Sequence, residues 1–258
     1  MKLFFRSFGT GTSFIILHGL FGISDNWVTL GKRFGERFRV IIPDLRNHGR
    51  SPHSELFDFP SMEQDILELI EEETDGGVIL MGHSLGGRVA VNLALHHQVM
   101  IRKLVIVDIS LRKYPPQREH LELIEAMHSL DLSQPGSRSE IEEQLRQRIP
   151  SLKLRRFLMK NLYWSERGKL SWRLNLPVIS ESLPAIFEGG GVPGRFSGPA
   201  MFIRGERSNY ILDSDLQAIH EKFPGAIVRT IRGATHWVHA DNPGEFYQVV
   251  SSFLYSDQ

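Results

Sequence analysis

Val78-Ile79-Leu80-Met81-Gly82-His83-Ser84-Leu85-Gly86-Gly87 is the stretch whose reading decides the fold. A short apolar run closed by glycine has the length and composition of a buried strand. Gly82-x-Ser84-x-Gly86 follows at once, and Arg88-Val89-Ala90-Val91-Asn92-Leu93-Ala94-Leu95 continues as a helix. A strand that stops at a serine and restarts as a helix makes a sharp elbow. Glycine at 82 and 86 lets strand and helix approach closely, leaving Ser84 strained and exposed at the sheet's end. Its hydroxyl is the candidate nucleophile, and the Leu85 amide is a candidate oxyanion donor.

Outward from the elbow, the chain alternates strands with helices. Residues 2–8 read as a strand, 9–13 as a turn, and 14–17 as a second strand ending at His18-Gly19. A helix starts near Ser24 and runs past Leu30 and Phe34, and Val40-Ile41-Ile42 is a buried strand. Ser61-x-x-Gln64 has the form of a capping box, with Met62, Ile66, Leu69 and Ile70 on one helical face. After the elbow come the strand Leu104-Val105-Ile106-Val107, strands at 200–203 and 226–231, a helix over 214–222, and a last helix capped by Asn242. This order predicts an α/β protein with a parallel sheet covered on both faces. The core is expected from 1–110 and 196–258. Residues 111–195 form an insert that reads as helical and basic, with thirteen Lys and Arg against eight Asp and Glu over 111–175. Gly189-Gly190-Gly191 is expected to end its last helix. The insert is expected to lie as a lid over the carboxyl edge of the sheet, where open α/β sheets bind ligands.

Bulk properties narrow the function. With 258 residues and 30 basic residues against 30 acidic, the chain lacks the basic excess of a nucleic-acid binder. It has no cysteine, which excludes disulfides, thiolate zinc sites and cysteine nucleophiles. Arg6 interrupts the N-terminal apolar residues, so no signal peptide is read, no run reaches membrane-spanning length, and a cytoplasmic protein is expected. The eleven histidines include no His-x-x-x-His pair beside a glutamate, and no phosphate loop or dinucleotide fingerprint is present. Neither a metal nor a cofactor is expected.

A serine nucleophile needs a base and a group that orients the base. His236, in a loop after the last predicted strand, is the candidate base, with His239 as its competitor. His18-Gly19-Leu20-Phe21-Gly22 opens a loop in which the Leu20 amide is the second oxyanion candidate and Phe21 a pocket wall. His18, His83 and Trp237 flank the same place, the two histidines as packing groups. In the insert, Phe157, Leu158, Leu162, Trp164 and Trp172 are expected to line an acyl tunnel. Arg146, Arg148, Lys153, Arg155, Arg156 and Lys160 are candidates to meet the phosphates of a CoA leaving group. The acid stays open on the residues alone. The slot three residues past Gly205 holds Ser208, Glu206 stands beside the glycine, and Asp108 ends the strand after the elbow helix.

Segments 18–22, 44–51 and 82–87, together with Val107-Asp108-Ile109, Trp172-Arg173-Leu174-Asn175-Leu176-Pro177 and 233–240, occur in the same order in one group. The chain resembles the YbfF-type bacterial esterases of the α/β-hydrolase superfamily over nearly its whole length. That resemblance implies a mostly parallel twisted sheet with an inserted helical lid. It also implies Asp108 as the acid. The implied reaction is hydrolysis of carboxylic esters and acyl thioesters, including acyl-CoA, through an acyl-enzyme on Ser84 without metal or cofactor. The chain departs from the group near 166–171 and at Gly205-Glu206-Arg207-Ser208, which leaves acyl preference open. A perhydrolase or lyase using the same residues, or a non-catalytic ligand-binding protein, are the alternatives. Oligomeric state is not read.

Overall fold

Apolar residues at consecutive positions point to opposite faces of a strand, and the central strands here carry such runs, Phe14–Leu17, Val78–Met81 and Leu104–Val107. The computed structural model describes residues 1–114, 118–132, 137–165, 169–188 and 192–256. Seven strands form the main sheet: β1 (Phe5–Phe8), β2 (Ser13–Leu17), β3 (Arg39–Pro43), β4 (Val78–His83), β5 (Ile101–Val107), β8 (Ala200–Gly205) and β9 (Ala226–Ile231). Their order is β1-β3-β2-β4-β5-β8-β9, parallel except for β1 against β3. Phe14, Ile16, Ile79 and Met81 face one apolar cluster, and Ile15, Leu17, Leu80 and Leu104 face the other. Helices α1 (Val28–Phe34) and α10 (Pro243–Tyr255) cover the first face through Phe34, Phe246 and Val250. Helices α2 (Phe59–Glu73), α3 (Leu85–His96) and α8 (Leu216–Lys222) cover the second through Met62, Ile66, Val89 and Ile219. This is the α/β-hydrolase architecture.

Two local expectations need correction. The first strand starts at Phe5 rather than residue 2. Ser61 does not cap α2: Asp58 does, its carboxylate accepting from the Ser61 amide at 2.8 Å, and Pro60 sits in the first turn, where no N–H is needed. Gln64 instead donates to Glu68. Asn242 caps α10 as expected.

Residues between β5 and β8 build α4 (Arg118–His128), α5 (Arg138–Arg146), α6 (Leu152–Met159), a hairpin of β6 (Leu162–Trp164) and β7 (Leu170–Trp172), and α7 (Leu176–Glu188). The hairpin adds two short strands to an insert read as helical, because three-residue strands are too short to show a period of two. Gly189-Gly190-Gly191 and part of the divergent stretch near 166–171 lie outside the described residues. β5 and β8 pair directly, Leu104 with Ala200 through Val107 with Ile203, so the sheet runs unbroken past the insert. Ser84 follows β4, Asp108 follows β5, the 206–208 turn follows β8, and His236 stands after β9, all at one edge of the sheet. The last short helix, α9 (Val238–Asp241), leads from that loop to α10. Among the described residues no helix is long and apolar enough to cross a membrane.

Candidate active site

The elbow is as tight as its glycines require. A Cβ on Gly82 would lie 2.2 Å from the Gly86 carbonyl oxygen, and one on Gly86 would lie 2.6 Å from that of His18. Ser84 has φ 53° and ψ −115°, which a non-glycine residue adopts only under constraint. Phe21 (φ 60°) and Asp108 (φ 52°) share the left-handed sign; Asn47 (φ 63°) is the fourth such non-glycine residue among those described. Three of these four surround one point. The sheet holds two of them, since the Ser84 amide donates to Val107 at 3.0 Å and the Asp108 amide to Ile203 at 2.7 Å.

His236 Nε2 lies 3.0 Å from Ser84 Oγ, and its Nδ1 lies 2.8 Å from Asp108 Oδ2. A proton on Nδ1 donates to the carboxylate and leaves Nε2 to accept from the serine hydroxyl. Asp108 is fully buried, and its oxygens accept further bonds from the Gly205 amide at 3.0 Å and from the Ser208 hydroxyl. Ser208, three residues past Gly205, thus donates to Asp108 at the end of the neighbouring strand. Glu206 faces elsewhere and accepts from the Gly233 amide. The Tyr210 ring stacks on the His236 imidazole at 3.9 Å. His83 Nε2 donates to the His236 carbonyl at 2.9 Å, which ties the histidine loop to the elbow strand.

In the loop after β2, the Phe21 amide donates to His48 Nε2 at 3.2 Å and the Gly22 amide to Gly19 at 2.9 Å. The intervening Leu20 amide has no partner among the described residues, and neither has that of Leu85 at the start of α3.

His18 does not contact substrate space. Its Nδ1 donates to the Gly19 carbonyl and its Nε2 accepts from the Leu45 amide, so both nitrogens hold the loop. His239 is buried and stacked on Trp27 at 4.0 Å, away from Ser84. Burial lowers the pKa of His18 to about 4 and of His48 and His239 to about 3. On unfolding each returns to its ordinary value near 6.5 and binds a proton more readily. The stabilisation from these neutral rings is complete above about pH 6.5 and declines by up to about 1.4 kcal/mol per ring per pH unit below it. Urea midpoints measured at pH 7.5, 6 and 5 should therefore fall steeply over the last interval; equal midpoints would contradict this account.

Two narrow spaces flank Ser84. One, of about 50 Å³, is bounded by Phe21, His83, Leu123, His236 and Trp237. The other, of about 30 Å³, lacks His236 and is bounded by Leu20, Phe59, Leu85, Ile109, Tyr114 and Phe187, with Arg88 also on its wall. Leu20, Phe21, His83, Leu85 and Trp237 each line one or both of these spaces. The aromatic prediction for the insert fails. Leu158 and Leu162 are buried in the core, Trp172 packs against it, and Trp164 is 54% exposed on the hairpin. Phe157 lies edge-on to Trp237 at 4.4 Å and borders a different cleft. Sequence reading missed Tyr114, His120, Leu123, Ile186 and Phe187, which supply the insert's wall. The adjacent Ile186-Phe187 pair was the available signal, a wide apolar face at the end of the insert's last helix.

That cleft beyond Trp237 holds about 570 Å³ and is lined by Lys153, Arg156 and Lys160. Arg155 turns inward instead, donating to the Ile149 and Pro150 carbonyls, and Arg146 pairs with Glu143 on an exposed face. Arg148 is exposed and does not border the cleft. Lys153 pairs with Asp241, which also accepts from the Thr235 amide and hydroxyl. Among the described residues no group of three or more His, Asp or Glu side chains is placed to hold a metal ion.

Residues 12–243 match the family of the alpha/beta hydrolase fold, and the chain belongs to that family. Within it, the chain is 30% identical over 240 residues to "Esterase YbfF" of Escherichia coli, covering 93% of this chain and 92% of that protein. It is 34% identical over 252 residues to "sn-1-specific diacylglycerol lipase ABHD11" of Danio rerio, covering 95% of this chain and 79% of that one. The solved structure titled "Marine microorganism esterase" superposes with a TM-score of 0.95 at 39% identity, covering 98% of this chain and 99% of that chain. The protein is a hydrolase of the esterase and lipase kind.

Proposed function

We propose that the protein cleaves esters of short acyl chains through an acyl-enzyme on Ser84, with His236 as base and Asp108 as the carboxylate that orients it. The continuous hydrogen-bonded line Asp108–His236–Ser84, beside two unpartnered amides, carries this reading. Ser84 Oγ attacks the acyl carbon and its proton passes to His236 Nε2. The Leu20 and Leu85 amides donate to the oxyanion. His236 then gives the proton to the leaving oxygen, and the C–O bond breaks. Water adds to the acyl-serine with its proton going to His236, and the acid departs as Ser84 recovers the proton.

The leaving atom must reach His236, so the alcohol lies in the space that His236 bounds and the acyl chain in the other. The acyl space is the smaller of the two and is closed in by Leu20, Phe59, Ile109 and Phe187, hence the short chain. Tyr114, His120 and Phe187 roof it, which supports the insert acting as a lid. A fluorophosphonate probe should form one adduct, on Ser84. A folded protein that fails to label, or labels elsewhere, would refute the assignment and favour a ligand-binding protein of this fold.

Thioesters fit the same route, with sulfur taking the proton. The cationic cleft shares Trp237 with the leaving-group side and suits the phosphates of CoA. Lys153 is occupied by Asp241, so Arg156→Glu with Lys160→Glu is the informative pair. It should raise KM for a short acyl-CoA by about tenfold and flatten its salt dependence, sparing an uncharged ester. Equal effects on both substrates would remove CoA from the reading.

A further inference from the structure

Arg88 breaks the usual rule for buried cations. It stands in α3, four residues after Ser84, and is 7% exposed. Guanidinium groups this buried are normally paired with a carboxylate. Among the described residues Arg88 has no such partner. Its Nη2 donates to the Arg112 carbonyl, its Cζ lies 5.5 Å from the Tyr114 ring centre, and Nε and Nη1 donate to no described group. The neighbouring charge is another cation, Arg112, whose own partner is Asp215 at 3.3 Å. Burial lowers the Arg88 pKa, yet an arginine remains charged. Arg88 stands on the wall of the small apolar space beside Ser84, with Phe59, Ile109 and Phe187, and no carboxylate among the described residues balances its charge.

A buried charge without a counter-ion costs free energy, and a ligand bringing the opposite charge relieves it. We propose that Arg88 receives a carboxylate at the far end of the acyl group, making half esters and half thioesters of short dicarboxylic acids the preferred substrates. This rests on the reading that Ser84 is acylated in this space. Four helical residues place the start of the Arg88 side chain about 6 Å beyond Ser84 along the axis. About two or three methylenes between the two carbonyl carbons, at about 1.5 Å per bond, suit that separation. A neutral acyl group would fill the same space but leave the guanidinium donors empty. Discrimination then comes from an unpaired polar group as much as from the bond formed.

The test compares monoethyl succinate with ethyl pentanoate by proton release. Wild type should favour the half ester by about tenfold or more in kcat/KM, as charge-assisted hydrogen bonds allow. Arg88→Met should abolish or invert that ratio, and Arg88→Lys should keep part of it. Calorimetry with succinamate and butyramide, on wild type and Ser84→Ala, gives a readout without turnover: only succinamate should bind, and only with Arg88 present. A wild-type ratio at or below one, or succinamate binding no better than butyramide, overturns the proposal, whether or not the Arg88 variants fold. A ratio unchanged in folded Arg88→Met does the same. No turnover of either ester, together with Arg88-dependent succinamate binding, would instead count against the acyl-enzyme and leave the carboxylate site standing.

Discussion

Ser84→Ala removes nearly all ester hydrolysis, a loss of about 10⁴-fold or more, and leaves the fold in place. The expectation of an intact fold follows from what the hydroxyl does. Its hydrogen bond goes to His236 Nε2, and the elbow is held by the Ser84 backbone and by Gly82 and Gly86. Alanine inherits the same backbone angles with no added strain. Melting temperature and far-ultraviolet circular dichroism should match wild type while turnover collapses. A folded variant with near wild-type turnover would take the nucleophile away from Ser84.

Asp108→Asn should cost on the order of 10⁴ in kcat, and Glu206→Gln almost nothing. The Gly205 amide donates to Asp108 Oδ1, while His236 Nδ1 and the Ser208 hydroxyl share Oδ2, so an asparagine there would keep its carbonyl toward the Gly205 amide. Its amide would then face His236 Nδ1 and draw the imidazole proton to Nε2, where it can no longer accept from Ser84. Among the described residues the Glu206 side chain meets only the Gly233 amide, on an exposed loop. Measured side by side, a large loss confined to Glu206→Gln would move the acid there.

What could be read from the chain depended on how local the controlling interaction was. The elbow was legible because Gly82 and Gly86 act within one turn, and the strands because each apolar run is self-contained. His236 was legible from its place after the last strand. The acid was not settled by the residues: Asp108 and Glu206 are separated by a long insert, and only the pairing of β5 with β8 brings Asp108 to the Gly205 amide. The insert misled most. Phe157, Trp164 and Trp172 are bulky residues of a basic segment, but their directions depend on a short hairpin and on Trp237. Tyr114, His120 and Phe187 come from opposite ends of the insert and meet only in the folded protein. The α2 cap failed for a smaller reason: Asp58-Phe59-Pro60 already contains a better start than Ser61.

Because β5 and β8 are direct neighbours, the insert leaves and re-enters the sheet at adjacent points. It can therefore be treated as an interchangeable part. The bonds joining Ser84, His236 and Asp108 run wholly within the remainder of the chain, so a chimaera carrying a relative's insert should keep the reaction and differ in acyl preference. The seam to be matched in such an exchange includes Phe157 against Trp237, Lys153 with Asp241, and Asn161 donating to the Phe21 carbonyl.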